Sequence, residues 1–243
     1  MGGCGHPKNR ERELKMGYLL LEGGAEFGGA MREADLQAIK LAGGFDAPIR
    51  IIPTAAAPDK NHLRAGKNGV RWFQNLSASD VESVLLIDTN SANDPEIAKT
   101  LRVAKLIYML GGFTDYLGQT LKDSLAWASV LDAYRDGAVI AGSSAGAMVM
   151  CEYYYDPSRG KVEQGLNLVP NTCVLPHHNT FGKKWVSKLK ALLPEATLLG
   201  IDEYTGMLTE GTEWKVLGGG AVTLYRNGQT ERFESGQTFL LNT

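Results

Sequence analysis

The stretch Ala138-Val139-Ile140-Ala141-Gly142-Ser143-Ser144-Ala145-Gly146-Ala147-Met148-Val149-Met150 sets a serine between two glycines, after a four-residue apolar run and before a helix-prone segment. The run reads as a strand, and the segment behind it as a helix continuing through Cys151 and Glu152. G-x-S-x-G at such a junction is the pattern of a nucleophile elbow. Its glycines permit a tight, strained turn that leaves the Ser144 Oγ exposed at the sheet edge. The pattern is short, so the flanking strand and helix carry most of its weight.

Outward from the elbow, apolar runs of strand length alternate with helix-length segments. Toward the N-terminus the strands are Tyr18 to Leu21, Ile49 to Ile52, Val84 to Ile87 and Leu106 to Leu110. The helices between them are Met31 to Leu41, Val70 to Leu76, Pro95 to Ala104 and the long stretch from Tyr116 to Tyr134. Such alternation builds right-handed βαβ units, and hence a mostly parallel sheet with helices on both faces and ligands at the strands' carboxyl ends. Beyond the elbow come an extended run from Thr172 to Leu175, a helix from Lys183 to Leu193 and a strand from Thr197 to Ile201. From Trp214 onward short β segments surround Asn227-Gly228, a hairpin signal, so the C-terminus is expected to add antiparallel strands to the sheet. The glycine pairs Gly23-Gly24 and Gly111-Gly112 follow strands, where the backbone turns sharply or approaches something closely. Gly24 to Gly29 fails the G-x-G-x-x-G spacing of a dinucleotide site.

At 243 residues, with 44% hydrophobic and 21% charged, the chain suits one sizeable α/β core. The expected organisation is a flexible polar tail over residues 1–15 and one hydrolytic domain over residues 16–243. A net charge of -2 with scattered basic residues argues against nucleic acid as a partner. No apolar run approaches the roughly 18 residues of a membrane span, which argues against a membrane. Three cysteines without paired spacing, and a start lacking the apolar stretch of a secretory signal, fit a reducing cytoplasm. The chain leaves homodimer formation open.

A serine hydroxyl needs a base, a group that orients the base, and donors for the oxyanion. Of the four histidines, His6 lies in the tail and His62 in the loop from Pro58 to Gly69. That leaves the pair His177-His178, at a strand's carboxyl end, as the source of the base. If that strand and the elbow strand are parallel neighbours, base and serine share one rim. The orienting acid is Asp156, between serine and histidine in the chain, or its rivals Asp202 and Glu203 at the end of the strand from Thr197 to Ile201; each also reads as a turn or strand-end residue. For the oxyanion, the Ala145 amide comes with the elbow and a second comes from Gly111-Gly112, with Gly112 preferred. Arg64, Arg159 and Lys161 lie on loops where they could anchor a carboxylate. This chemistry needs no metal and no organic cofactor.

Four motifs together resemble peptidase family S51: the elbow, Gly111-Gly112 at a strand end, Gly165-Leu166-Asn167-Leu168-Val169-Pro170 followed by Pro176-His177, and Gly200-Ile201-Asp202-Glu203-Tyr204-Thr205. The resemblance covers about Tyr18 to Gly211 in the family's order. It implies a class I glutamine-amidotransferase-like, three-layer flavodoxin-type fold. It also implies a serine peptidase of the dipeptidase E or cyanophycinase kind, which prefers an acidic residue at the substrate's amino terminus or a β-aspartyl linkage. Position by position, the resemblance makes Ser144 the nucleophile and His177 the base, favours Asp156 as the acid with Glu203 as the alternative, and gives His178 an aromatic's place, where it packs or touches substrate. Gly111, Phe113 and Thr114 then face a small peptide substrate. The departures are Phe113, where the family has a polar Asn or Asp, Pro176 in place of a Gln, and Lys183 and Lys184 in place of arginines. They weaken the case for cyanophycin itself as substrate. The rival readings are an esterase or amidase on the same site and a non-catalytic family member. A glutamine amidotransferase is disfavoured, because its elbow carries cysteine.

Overall fold

The computed structural model describes residues 16–210 and 212–241, so the expected tail over residues 1–15 lies outside the described residues. Up to the elbow the elements alternate as expected: β1 (Tyr18–Glu22), α1 (Arg32–Leu41), β2 (Ile49–Ile52), α2 (His62–Asn75), β3 (Val81–Ser83), α3 (Thr89–Ala92), α4 (Pro95–Arg102), β4 (Leu106–Met109), α5 (Thr114–Leu121), α6 (Leu125–Arg135) and β5 (Val139–Ser143). Some boundaries differ. His62 opens α2 instead of sitting in a loop, and the third strand precedes the Val84 run. The stretch from Tyr116 to Tyr134 is broken by Lys122 to Ser124, where the Ser124 Oγ caps α6 by accepting from the Trp127 N–H.

After the elbow, α7 (Ala145–Met150) stops two residues earlier than expected, and Cys151 begins β6 (Cys151–Asp156). The run Tyr153-Tyr154-Tyr155 favours a pleated surface, and pairing with a neighbouring strand overrides the helical reading. The remaining elements are β7 (Lys161–Gln164), β8 (Val169–Leu175), α8 (Val186–Leu192), β9 (Thr197–Ile201), β10 (Thr205–Glu210), β11 (Glu213–Gly218), β12 (Ala221–Arg226), β13 (Gln229–Glu234) and β14 (Thr238–Leu240). Asn227 and Gly228 both take positive φ, 51° and 73°, as a two-residue hairpin turn between β12 and β13 requires.

The strands form two sheets. The first runs β14-β11-β10-β1-β5-β4-β2-β3, and the second β13-β12-β9-β8-β6-β7. From β1 to β3 the first sheet is parallel throughout, and β10, β11 and β14 extend it antiparallel. The architecture is thus the α/β, flavodoxin-like kind expected. The antiparallel C-terminal strands are nevertheless divided between the sheets, because β12 and β13 join the second. The strands Thr172 to Leu175 and Thr197 to Ile201 also belong there, as parallel neighbours of each other and not of the elbow strand.

Residues of the parallel strands alternate between two cores. Leu20, Ile49, Ile51, Leu106, Tyr108, Val139 and Ala141 pack under α1 and α2. Leu19, Leu21, Ile52, Ile107, Met109 and Ile140 face the opposite side, with α4 to α7 and the second sheet. A strand buried on both faces loses its hydrophobic alternation, which is why these segments read as continuous apolar runs. β2 and β4 are neighbours, and the chain leaves β2 toward β3 but β4 toward β5, in opposite directions, which opens a crevice beyond the carboxyl ends of the two strands. Among the described residues no helix is long and apolar enough to cross a membrane.

Candidate active site

Ser144 stands between β5 and α7 with φ 48° and ψ −107°, a conformation that costs an L-residue about 1–3 kcal/mol and persists only where the surroundings enforce it. Its N–H donates to the Glu22 carbonyl at 3.0 Å, tying the elbow to β1. The flanking glycines are there for close approach. A Cβ on Gly142 would lie 2.4 Å from the Gly146 carbonyl carbon, and one on Gly146 would lie 2.3 Å from the Met109 carbonyl oxygen.

The candidate base, His177, arrives from the second sheet. Beyond β8, the His177 N–H donates to the Gly23 carbonyl at 2.7 Å, which fastens the end of this strand to the loop after β1. The imidazole Nε2 lies 3.1 Å from the Ser144 Oγ, and Nδ1 lies 2.8 Å from the Glu203 Oε1. An Nδ1–H donated to the carboxylate leaves the Nε2 lone pair facing the hydroxyl. The Glu203 N–H donates to the Asn179 Oδ1 at 3.0 Å, which braces the acid on the histidine's own loop. His177 and Tyr204 also take positive φ, 50° and 58°, so three strained residues surround one point. Gly24 completes the fit, because a Cβ there would lie 2.2 Å from the imidazole Cε1.

Asp156, the favoured acid of the sequence reading, is not at this imidazole. Its Oδ1 accepts from the Ser158 N–H and Oγ, and its Oδ2 pairs with Arg159 at 3.1 Å. Asp156-Pro157 initiates a turn after β6, a role the same residue type serves equally well. The alternative acid, Glu203, holds the position. His178 does not reach substrate and takes the packing role that the sequence reading also allowed. It is buried, with Nδ1 3.3 Å from the Asp202 Oδ1 and Nε2 2.9 Å from the Tyr225 hydroxyl, and so it packs between β9 and β12 away from the cleft. Burial holds its imidazole below the usual histidine range despite the Asp202 carboxylate.

Two clefts, of about 470 and 460 Å³, meet at Gly112 and Phe113. The first also holds Glu26, Ala55, Arg64 and Gly111; the second holds Thr114, Asp115, Asp156 and Arg159. Phe113 is half exposed on the ridge between them. Of the suggested carboxylate anchors, Arg159 is engaged by Asp115, Asp156 and Glu163, Lys161 lies on β7, and Arg64 lies on α2 facing the first cleft. The Ala145 N–H heads α7 with no preceding helical turn to accept it. Sequence reasoning missed Phe181, whose ring stacks on His177 at 4.7 Å, and Glu26, which accepts from the Ser143 Oγ at 2.9 Å. No sequence pattern marks either one: Phe181 reaches His177 from four positions along the same loop, and Glu26 reaches Ser143 only through the fold.

Behind the elbow, Glu22 and Asp35 are buried side by side. Tyr108 donates to Glu22, and the Trp72 indole donates to Asp35 at 2.8 Å. Burial raises the Asp35 carboxyl from 3.8 to about 7, and burial together with the Asp35 charge raises Glu22 well above the ordinary carboxylate range. A carboxyl that keeps its proton when folded destabilises the fold as pH rises from about 4 to about 7, where the unfolded chain ionises and the folded chain does not. Asp35→Asn is therefore expected to flatten the decline of stability across that interval, measured by urea denaturation at several pH values. An unchanged decline would mean that Asp35 is ionised in the folded protein.

The model of peptidase family S51 matches residues 19–217. A cyanophycinase of Geminocystis herdmanii is 30% identical over 220 residues, covering 85% of this chain and 79% of that protein. An uncharacterized peptidase of Listeria innocua is 31% identical over 196 residues, covering 75% of this chain and 87% of that one. The crystal structure of a peptidase from an acI-B1 Actinobacterium superposes with a TM-score of 0.83 at 27% identity, covering 94% of this chain and 98% of its own.

Proposed function

The chain belongs to peptidase family S51, and from that premise we propose that it hydrolyses small peptides or isopeptides bearing an aspartyl residue on the amino side of the scissile bond, through an acyl-enzyme. Ser144 Oγ attacks the carbonyl carbon while His177 Nε2 takes its proton. The Glu203 carboxylate keeps the Nδ1 proton in place and stabilises the imidazolium as it forms. The amides of Ala145 and Gly112 receive the developing oxyanion. The imidazolium then protonates the leaving amine, and water, deprotonated by the same Nε2, releases the acyl group. The observation that carries the reading is the unbroken contact series from Ser144 Oγ through His177 to Glu203, with Ser144 beside Gly111 of the first cleft. Arg64, which has no ion pair among the described residues, is the cation of the first cleft available to a substrate carboxylate.

The test is a panel of α- and β-aspartyl dipeptides set beside alanyl dipeptides and p-nitrophenyl esters, with fluorophosphonate labelling read by peptide mapping. Labelling at Ser144 and a preference for aspartyl substrates are expected. Turnover of esters alone would make the protein an esterase, and an unlabelled Ser144 would remove the nucleophile from the mechanism.

A further inference from the structure

Glu26 is held with unusual care for a surface-loop carboxylate. Its neighbours Ala25 and Phe27 both take left-handed backbone, φ 58° and 64°, and the preceding Gly24 has φ 112°. Non-glycine residues in this region cost about 1–3 kcal/mol each, and such strain persists where the surroundings hold it, commonly around ligands. Here the Phe27 ring supplies the hold, packed against Trp72, Phe73 and Tyr108 with centroids 5.6 to 6.4 Å away. On the other side the Ser143 Oγ donates to the Glu26 Oε2 at 2.9 Å, which fixes the carboxylate one residue from the nucleophile.

The second oxygen looks into the cleft. A Cβ on Gly111 would lie 3.1 Å from the Glu26 Oε1 and 3.3 Å from the Ser144 Cβ, so carboxylate and nucleophile border the same small volume, left open by the missing side chain of Gly111. Glu26 lines the 470 Å³ cleft, and its carboxylate makes no ion pair among the described residues, although Arg64 lines the same cleft and Arg71 the adjoining one. The buried Glu22 and Asp35 lie near enough to feel its charge. A rigid carboxylate without a cation of its own, beside the reacting atoms, matches an N–H cation and repels a second carboxylate.

We infer that Glu26 is a substrate-recognition residue which takes a cationic N–H group of the peptide, either the α-ammonium of its amino-terminal residue or a basic side chain. An aspartyl substrate fits this arrangement, because it carries an ammonium as well as its carboxylates. The inference rests on the peptidase reading for the kind of molecule bound, but its test needs no turnover.

The experiment is titration calorimetry of the full chain carrying Ser144→Ala, alone and combined with Glu26→Gln, against four amides. Argininamide offers both cations, alaninamide the ammonium, N-acetylargininamide the guanidinium and N-acetylalaninamide neither. The Glu26 protein is expected to prefer at least one singly charged amide over the neutral one by roughly ten- to a hundredfold, the scale of a charge-assisted hydrogen bond, and to lose that preference with Glu26→Gln. Which amide is preferred identifies the cation. Salt provides a second measurement on the Glu26 protein alone, whose preference must shrink as ionic strength rises. Equal or undetectable binding of charged and neutral amides, a preference that survives Glu26→Gln, or one indifferent to salt would each overturn the assignment. Because no bond is cleaved, failure of the peptidase reading would show in the substrate panel and not here.

Discussion

Replacement of Ser144 by alanine is expected to lower kcat/KM toward aspartyl dipeptides by about four to six orders of magnitude, the loss seen when the nucleophile of a serine triad is deleted. That corresponds to about 5–8 kcal/mol of transition-state stabilisation. The expectation follows from the contact between the Ser144 Oγ and the His177 Nε2 at 3.1 Å, which no neighbouring hydroxyl duplicates, since the Ser143 Oγ is turned toward Glu26. Alanine keeps a Cβ on the same positive-φ backbone, so the strain at the elbow is retained and the thermal midpoint should move little. Steady-state kinetics with a coupled amine assay, beside a melting curve, checks both parts. Activity within tenfold of the unaltered protein would mean that another group attacks.

The second large effect separates the two acids. Glu203→Gln is expected to lower kcat by about three to four orders of magnitude, because an amide can present its NH₂ to the imidazole Nδ1 and favour the tautomer whose Nε2 carries the proton and cannot accept another. Asp156→Asn should leave kcat within about threefold, since Asp156 meets Ser158 and Arg159 and not the imidazole. The two substitutions are equally conservative, so comparing them isolates position from chemistry. A collapse of activity in Asp156→Asn with little change in Glu203→Gln would invert the assignment.

The contrast between these acids marks how far one-dimensional reading reaches. The elbow was legible because its three requirements are local: an apolar strand, two residues without side chains and a following helix occupy consecutive positions. The same holds for the parallel strands, whose unbroken apolar runs follow from burial on both faces, and for the Asn227-Gly228 hairpin. Elimination among the four histidines left the pair His177-His178, and it was the resemblance that singled out His177. The choice between Asp156 and Glu203 stayed open at the level of residues, because both end strands and both suit turns. The resemblance leaned toward the residue that lies between serine and histidine in the chain, whereas space favours the one that lies beyond both.

What the sequence determined by itself is therefore the strand–helix alternation leading into the elbow and the candidate nucleophile, both written in short-range spacing. Only the tertiary structure decided that β8 and β9 leave the elbow's sheet for a second one, that Gly23-Gly24 is where the two sheets' ends are fastened, and that His177 meets Glu203 while its neighbour His178 turns inward to Asp202. It likewise decided that Glu26 stands beside Ser144, 118 positions away along the chain. The physical reason is that local backbone preferences act over a few residues, whereas a proton-transfer chain is assembled by strand pairing and side-chain packing between segments that carry no record of one another in their spacing.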